Sequence, residues 1–197
     1  MKGLDELLLA ASELESALHR KDWRFCFIGG VAVQRWGNPR FTQDIDLTLL
    51  TGFGEEEKFI DPLLRLLNPR RPDARDFAIR HRVLLARTRD GMDVDIALGA
   101  LPFEEQSIRR ATLWTVRDGV KLTTCSAEDL IVHKAFAGRG RDWDDVETVL
   151  IRQHGKLNFA QIRSELKPLL ELKGEPEALD KLEATIALVD RRLQAKS

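Results

Sequence analysis

Residues 27–50 read FIGGVAVQRWGNPRFTQDIDLTLL, with Gly29-Gly30 near one end and Asp44-Ile45-Asp46-Leu47 near the other. The apolar run Arg24 to Ile28 predicts a β-strand, and Val31 to about Trp36 predicts a short helix opened by the glycine pair. A helix N-terminus presents unpaired N–H groups and a partial positive charge, which suit phosphate. Glycine at such a turn lets the backbone approach a ligand closely. After thirteen intervening residues beyond Gly30, alternating acids and aliphatics predict a second strand. On it Asp44 and Asp46 share one face, and Ile45 and Leu47 the other. Two carboxylates on one face repel each other unless a cation lies between them. A phosphate cradle facing a divalent-metal clamp is equipment for chemistry on a nucleoside triphosphate.

This stretch resembles the signature of the nucleotidyltransferase superfamily that includes DNA polymerase beta, in which a glycine pair precedes Asp-x-Asp. Its form here, with Arg40, Thr42, Asp44, Asp46 and Leu47 in that order, is most similar to the AbiEii-type nucleotidyltransferases, many of them toxins of bacterial toxin–antitoxin pairs. A second stretch, SAEDLIVHKAFAGRGRDWDDVETVL from Ser126 to Leu150, resembles the same group. The resemblance implies transfer of an NMP from an NTP to a hydroxyl acceptor, with two Mg²⁺ about 3.5–4 Å apart held by three carboxylates. It also implies nucleotide or phosphate contacts at Gly29, Gly30, Arg40, Thr42, Lys134 and Asp142.

The superfamily's third carboxylate stands on a strand beside the first two. Met92 to Leu98 offers two candidates, Asp93 and Asp95 on one face, with Val94 and Ile96 on the other. The family pattern, an acid followed directly by an apolar run, matches Asp95 better than Asp93. On that resemblance Asp44, Asp46 and Asp95 are the metal ligands, and Asp95 is also the base for the acceptor hydroxyl. The plainer reading of such alternation is an exposed antiparallel face.

Composition narrows the class. With 197 residues, 43% hydrophobic and 32% charged, the chain is expected to fold as a globular protein with a real core. No apolar run approaches the ~20 residues of a membrane helix. The first residues, MKGLDELLLAASELE, carry acids within the apolar stretch, unlike a signal peptide. Cys26 and Cys125 lie in separate apolar segments and read as buried, reduced thiols of a cytoplasmic protein. A formal net charge of −1 gives no global pull toward nucleic acid. Locally, eight arginines from Arg65 to Arg89 face only Asp73 and Asp76, either as a solvated face or as a phosphate-facing rim.

Working outward, Leu4 to about Arg20 has the spacing of an amphipathic helix. Glu55 to Leu67 reads as a helix that Pro62 kinks or restarts, and Asn68 to Asp76 as a loop. Val83–Arg87 and Met92–Leu98 form a hairpin across Asp90-Gly91, and Leu113–Arg117 and Val120–Thr124 a second across Asp118-Gly119. Pro102 to Arg110 is a short helix between them. From Ser126 onward every segment has helical spacing, with caps at Ser126 and Asn158 and stops at Gly138 and Gly155. The expected fold is α+β: a mixed β-sheet nucleotidyltransferase core over 1–125, flanked by helices, and a C-terminal helical bundle over 126–197 packed on it.

Lys134 lies on or beside the packing stripe of its helix, where a lysine either snorkels to water or contacts phosphate. Asp142 and Asp145, one turn apart, either orient it or simply favour a helix N-terminus. His133 reads as structural. An Asp-x-Asp also occurs in metal-dependent glycosyltransferases, but those need no Gly-Gly helix entry. A nucleotide- or partner-binding module without turnover is the alternative, and it predicts a missing acid. The acceptor stays open among tRNA, protein and a small molecule of the aminoglycoside kind. A cognate antitoxin is the partner expected of a toxin.

Overall fold

The alternating acid and aliphatic residues form adjacent strands. The structure, a computed structural model, describes residues 3–195. Among them seven strands build one mixed sheet: β1 (Phe25–Phe27), β2 (Asp44–Leu50), β3 (Asn68–Pro69), β4 (Val83–Arg87), β5 (Asp93–Gly99), β6 (Thr112–Arg117) and β7 (Val120–Thr124). Their order across the sheet is β3-β4-β5-β2-β1-β7-β6. β2 pairs in parallel with β5 and antiparallel with β1, while β1 pairs in parallel with β7. Both predicted hairpins are present, β4 with β5 and β6 with β7.

The described residues divide into two compact units, 3–31 with 41–125, and 32–40 with 126–195. The first holds the whole sheet. Its apolar face carries Phe25, Phe27, Ile45, Leu47, Leu49 and Ile96, all fully or almost fully buried. Packed in the same core are α1 (Leu4–His19), α3 (Glu57–Leu66) and α4 (Ala74–His81), through Leu14, Leu18, Ile60, Leu63, Ala74 and Ala78. Each fully buried large aliphatic contributes roughly 1.5–3 kcal/mol. The other face carries the aspartates toward one end. Toward the other end it meets α5 (Pro102–Arg110), where Ser107 lies 4.0 Å from Cys26. Glu104 starts α5 by accepting the N–H groups of Ala100 and Leu101, both at 2.8 Å.

One segment departs from expectation. Residues 68–76, expected as a loop, hold β3 and the start of α4. Asn68 and Pro69 pair with Arg87 and Ala86 at the sheet edge, the place where a proline's missing N–H is tolerated. α4 buries only Ala74 and Ala78, side chains too small to leave a readable apolar stripe. Pro62 sits inside a continuous α3, neither ending nor restarting it. α2 (Gly29–Trp36) begins at the first glycine, two residues before Val31.

The second unit is helical: α6 (Ala127–Ala137), α7 (Gly140–Arg152), α8 (Phe159–Lys173) and α9 (Ala178–Gln194) join residues 32–36 of α2. Ser126 caps α6 by accepting the Asp129 N–H at 3.1 Å, and Gly138 ends it at φ 69°. Asn158 caps α8 in the same manner from Gln161. Leu130, Val146, Leu166, Leu170, Leu182 and Val189 are buried among these helices.

Candidate active site

The register between β2 and β5 assembles the acids. Asp44 stands opposite Asp93 and Asp46 opposite Asp95, so four carboxylates occupy one patch of the face that the apolar core leaves open. Because the strands are parallel and in step, both pairs project to the same side. The Asp93 carboxylate takes Arg87 Nε at 2.6 Å and Arg70 Nη1 at 2.9 Å. The hydrogen bond from Arg87, helped by Arg70 against the cost of burial, holds its pKa below the usual carboxylate range. Asp95 differs. Burial pushes its carboxyl up, and the charges of Asp44 and Asp93 add to that against the other nitrogen of the Arg70 fork.

The glycine turn closes on the same patch from β1. Gly29 has φ 54°, a left-handed conformation, and a Cβ there would stand 2.1 Å from Asp46 Oδ2. A Cβ on Gly30 would stand 2.2 Å from Thr42 Oγ1. Gly30 donates its N–H to Asp46 Oδ2 at 3.4 Å, while the Thr42 hydroxyl donates to Asp44 Oδ1 at 3.3 Å. Both glycines therefore make room for the chain's own side chains, and Thr42 orients Asp44. A cleft of about 370 Å³ adjoins the patch, lined by Phe41, Thr42, Gln43, Arg87, Met92 and Asp93. A cavity of about 410 Å³ beside α1, lined by Ala10, Leu14, Ala17, Leu67 and Arg89 among others, holds none of the candidate residues.

The other candidates meet in the second unit. Arg40 grips Asp145 with two nitrogens, each at 2.6 Å. Lys134 Nζ lies 2.8 Å from Asp145 Oδ2 and 2.9 Å from Asp142 Oδ1, and Arg139 Nε lies 2.7 Å from Asp142 Oδ2. The side chains of Lys134, Asp142 and Asp145 are at most 9% exposed. Burial raises the pKa of both aspartates, but hydrogen bonds outweigh it, from Arg139 and Lys134 at Asp142 and from Arg40 and Lys134 at Asp145. Both end below the usual range.

The profile of the family described as "Nucleotidyl transferase AbiEii toxin, Type IV TA system" matches residues 13–196. The chain belongs to that family, and it is a nucleotidyltransferase. The AbiEii relationship embraces both the strand-borne acids and the helical unit. No curated protein sequence matches the chain. Among solved structures, an antigenic nucleotidyltransferase-like protein from Paracoccidioides brasiliensis is similar at 19% identity and TM-score 0.52, over 92% of this chain and 94% of that one, a likeness of fold. The antibiotic-resistance factor ANT(2'')-Ia aligns at 15% identity and TM-score 0.48, over 97% of this chain and 95% of that one.

What the motifs did not single out in this AbiEii chain is Arg70 with Arg87. Of the eight arginines in the 65–89 run, Arg70, Arg71, Arg75, Arg82 and Arg87 pair with carboxylates of the chain itself. The density of arginine was the available signal, and strand pairing chose which of them reach the aspartates. Among the described residues no three His, Cys, Asp or Glu side chains are already converged as a metal cage. The donor set still suits a hard divalent cation, being oxygen only and on one face, with burial and the neighbouring charges of Asp44 and Asp93 holding the pKa of Asp95 up.

Gly29 offers a direct test of this close packing. Gly29→Ala should cost the left-handed strain, about 1–2 kcal/mol, and also displace Asp46. Gly52→Ala carries the same kind of strain at φ 71° with nothing within 4 Å of the new Cβ. Urea unfolding should show Gly29→Ala as the less stable of the two. Equal losses would mean that Asp46 moves aside freely.

Proposed function

We propose that the chain transfers a nucleoside monophosphate from a divalent-metal-bound NTP to a hydroxyl of a macromolecule, tRNA or protein, as the toxin of a toxin–antitoxin pair. The observation that carries this is the in-step parallel pairing of Asp44-x-Asp46 with Asp93-x-Asp95 next to the Gly29-Gly30 turn. Asp44, Asp46 and Asp95 are the residues that would hold Mg²⁺. When bound, that ion neutralises triphosphate charge and polarises the phosphorus under attack. Thr42 sets the rotamer of Asp44, and the Gly30 N–H holds the side chain of Asp46. Asp95, whose carboxyl holds its proton more tightly than usual, takes the proton of the acceptor hydroxyl. The cleft beside Asp93 gives the acceptor group or base a place against Phe41. The type IV family membership supports a cognate antitoxin as partner.

Incubating the protein with each α-labelled NTP and a total cell extract tests the reading. Label should move to RNA or to protein and should stop with EDTA or Asp46→Ala. No transfer of label from any NTP to either class overturns it. Label on protein without RNA identifies a protein hydroxyl as the acceptor.

A further inference from the structure

We propose that Arg70 is the resident counter-cation of the carboxylate patch, one that holds Asp93 and Asp95 together and must release Asp95 before a divalent cation binds there. This rests on the reading of Asp44, Asp46 and Asp95 as metal donors. Arg70 follows the two-residue edge strand β3, and its N–H donates to the Leu85 carbonyl at 3.1 Å. Leu85 pairs with Asp95 in the register of β4 and β5, so the side chain crosses one strand to reach the acids. One guanidinium nitrogen then takes Asp93 and the other takes Asp95.

Two features mark this bridge as exchangeable. Arg70 Nε is buried with no hydrogen-bond partner, so the pose leaves a donor unsatisfied. Arg82 of the same unit, by contrast, spreads its two terminal nitrogens over Glu56, Thr51 and the carbonyls of Gly52 and Leu98. The second feature is an asymmetry. Asp93 keeps Arg87 when Arg70 leaves, whereas among the described residues Asp95 has Arg70 as its one ion-pair partner. Loss of Arg70 thus creates a demand for positive charge at Asp95, and a metal ion meets it. A guanidinium and a divalent cation on the same carboxylate repel each other, so the two compete.

Free Mn²⁺ measured by electron paramagnetic resonance during titration of the full chain tests this without turnover. Arg70→Gln should bind Mn²⁺ about tenfold or more tighter than wild type, since one competing charge is gone. Arg70→Lys, with a single prong in place of the fork, should tighten binding by roughly threefold and guards against a folding defect in the first variant. Arg87→Gln touches Asp93 alone and should stay within about threefold of wild type. Circular dichroism checks that each variant is folded. Wild type and Arg70→Gln binding Mn²⁺ equally, with Asp46→Asn binding none, overturns the competition and leaves the metal reading standing. Absence of Mn²⁺ binding in every variant overturns both.

Discussion

Asp95→Asn should slow single-turnover transfer by about 10²–10⁴-fold while NTP still binds, because in the proposed scheme it removes the base and one metal-facing charge but keeps the side chain's size. Asp93→Asn should cost less than about tenfold. The two residues share a strand face, yet their surroundings separate them. Asp93 is held by Arg70 and Arg87, and its carboxylate sits below the usual pKa range. That makes it a weak base and gives it the work of anchoring arginines. Asp95 stands opposite Asp46, next to the glycine turn, with a pKa raised by burial and by the neighbouring charges of Asp44 and Asp93. A carboxylate that is harder to keep ionised accepts a proton more readily. NTP affinity by calorimetry, run beside rapid-quench transfer with both variants, separates binding from chemistry. A dead Asp93→Asn with an active Asp95→Asn would move the base two residues along β5. Two active variants would end the three-carboxylate scheme for this chain.

The parts of this arrangement that were legible are those with a short period. Acid–aliphatic alternation in 44–47 and 92–98 fixes a strand and its two faces, because a one-residue slip would bury the aspartates and expose Ile45 and Val94. The Gly-Gly turn was legible for a different reason. A left-handed start at Gly29 leaves few other residues possible. What the glycines make room for was not legible, since the neighbours of the missing Cβ atoms, Asp46 and Thr42, are set by how β1 and β2 pair. The Arg70 bridge spans 25 residues to Asp95 and depends on a two-residue strand containing a proline, below any periodic signal. α4 escaped notice because alanine buries as a helix face without looking like one. Ser126, Asn158 and Gly138 punctuated the helical unit through local capping chemistry, so its boundaries fell within a few residues. The pairing of Arg40 with Asp145, 105 residues apart, had no such local rule behind it.

Lys134→Ala should destabilise the helical unit by about 3 kcal/mol at neutral pH, the low end of the ~3–5 kcal/mol for breaking a buried ion pair. Its ammonium lies within 3 Å of both Asp142 and Asp145, and all three side chains are nearly closed to solvent. The loss stays at the low end because Asp145 keeps Arg40 and Asp142 keeps Arg139. The two aspartates also give the effect a pH signature. Their folded pKa values lie below the ordinary range, so the unfolded chain binds protons more readily than the folded one. The network therefore contributes fully above about pH 4–5 and fades as pH falls through the folded values. Urea unfolding of wild type and Lys134→Ala at pH 7 should differ by the full amount, and the gap should narrow near pH 3. Lys134→Arg, which keeps the charge, should recover part of the stability. If Lys134→Ala instead unfolds like wild type at both pH values but binds NTP about tenfold more weakly, the lysine's work is on phosphate rather than on its two aspartates.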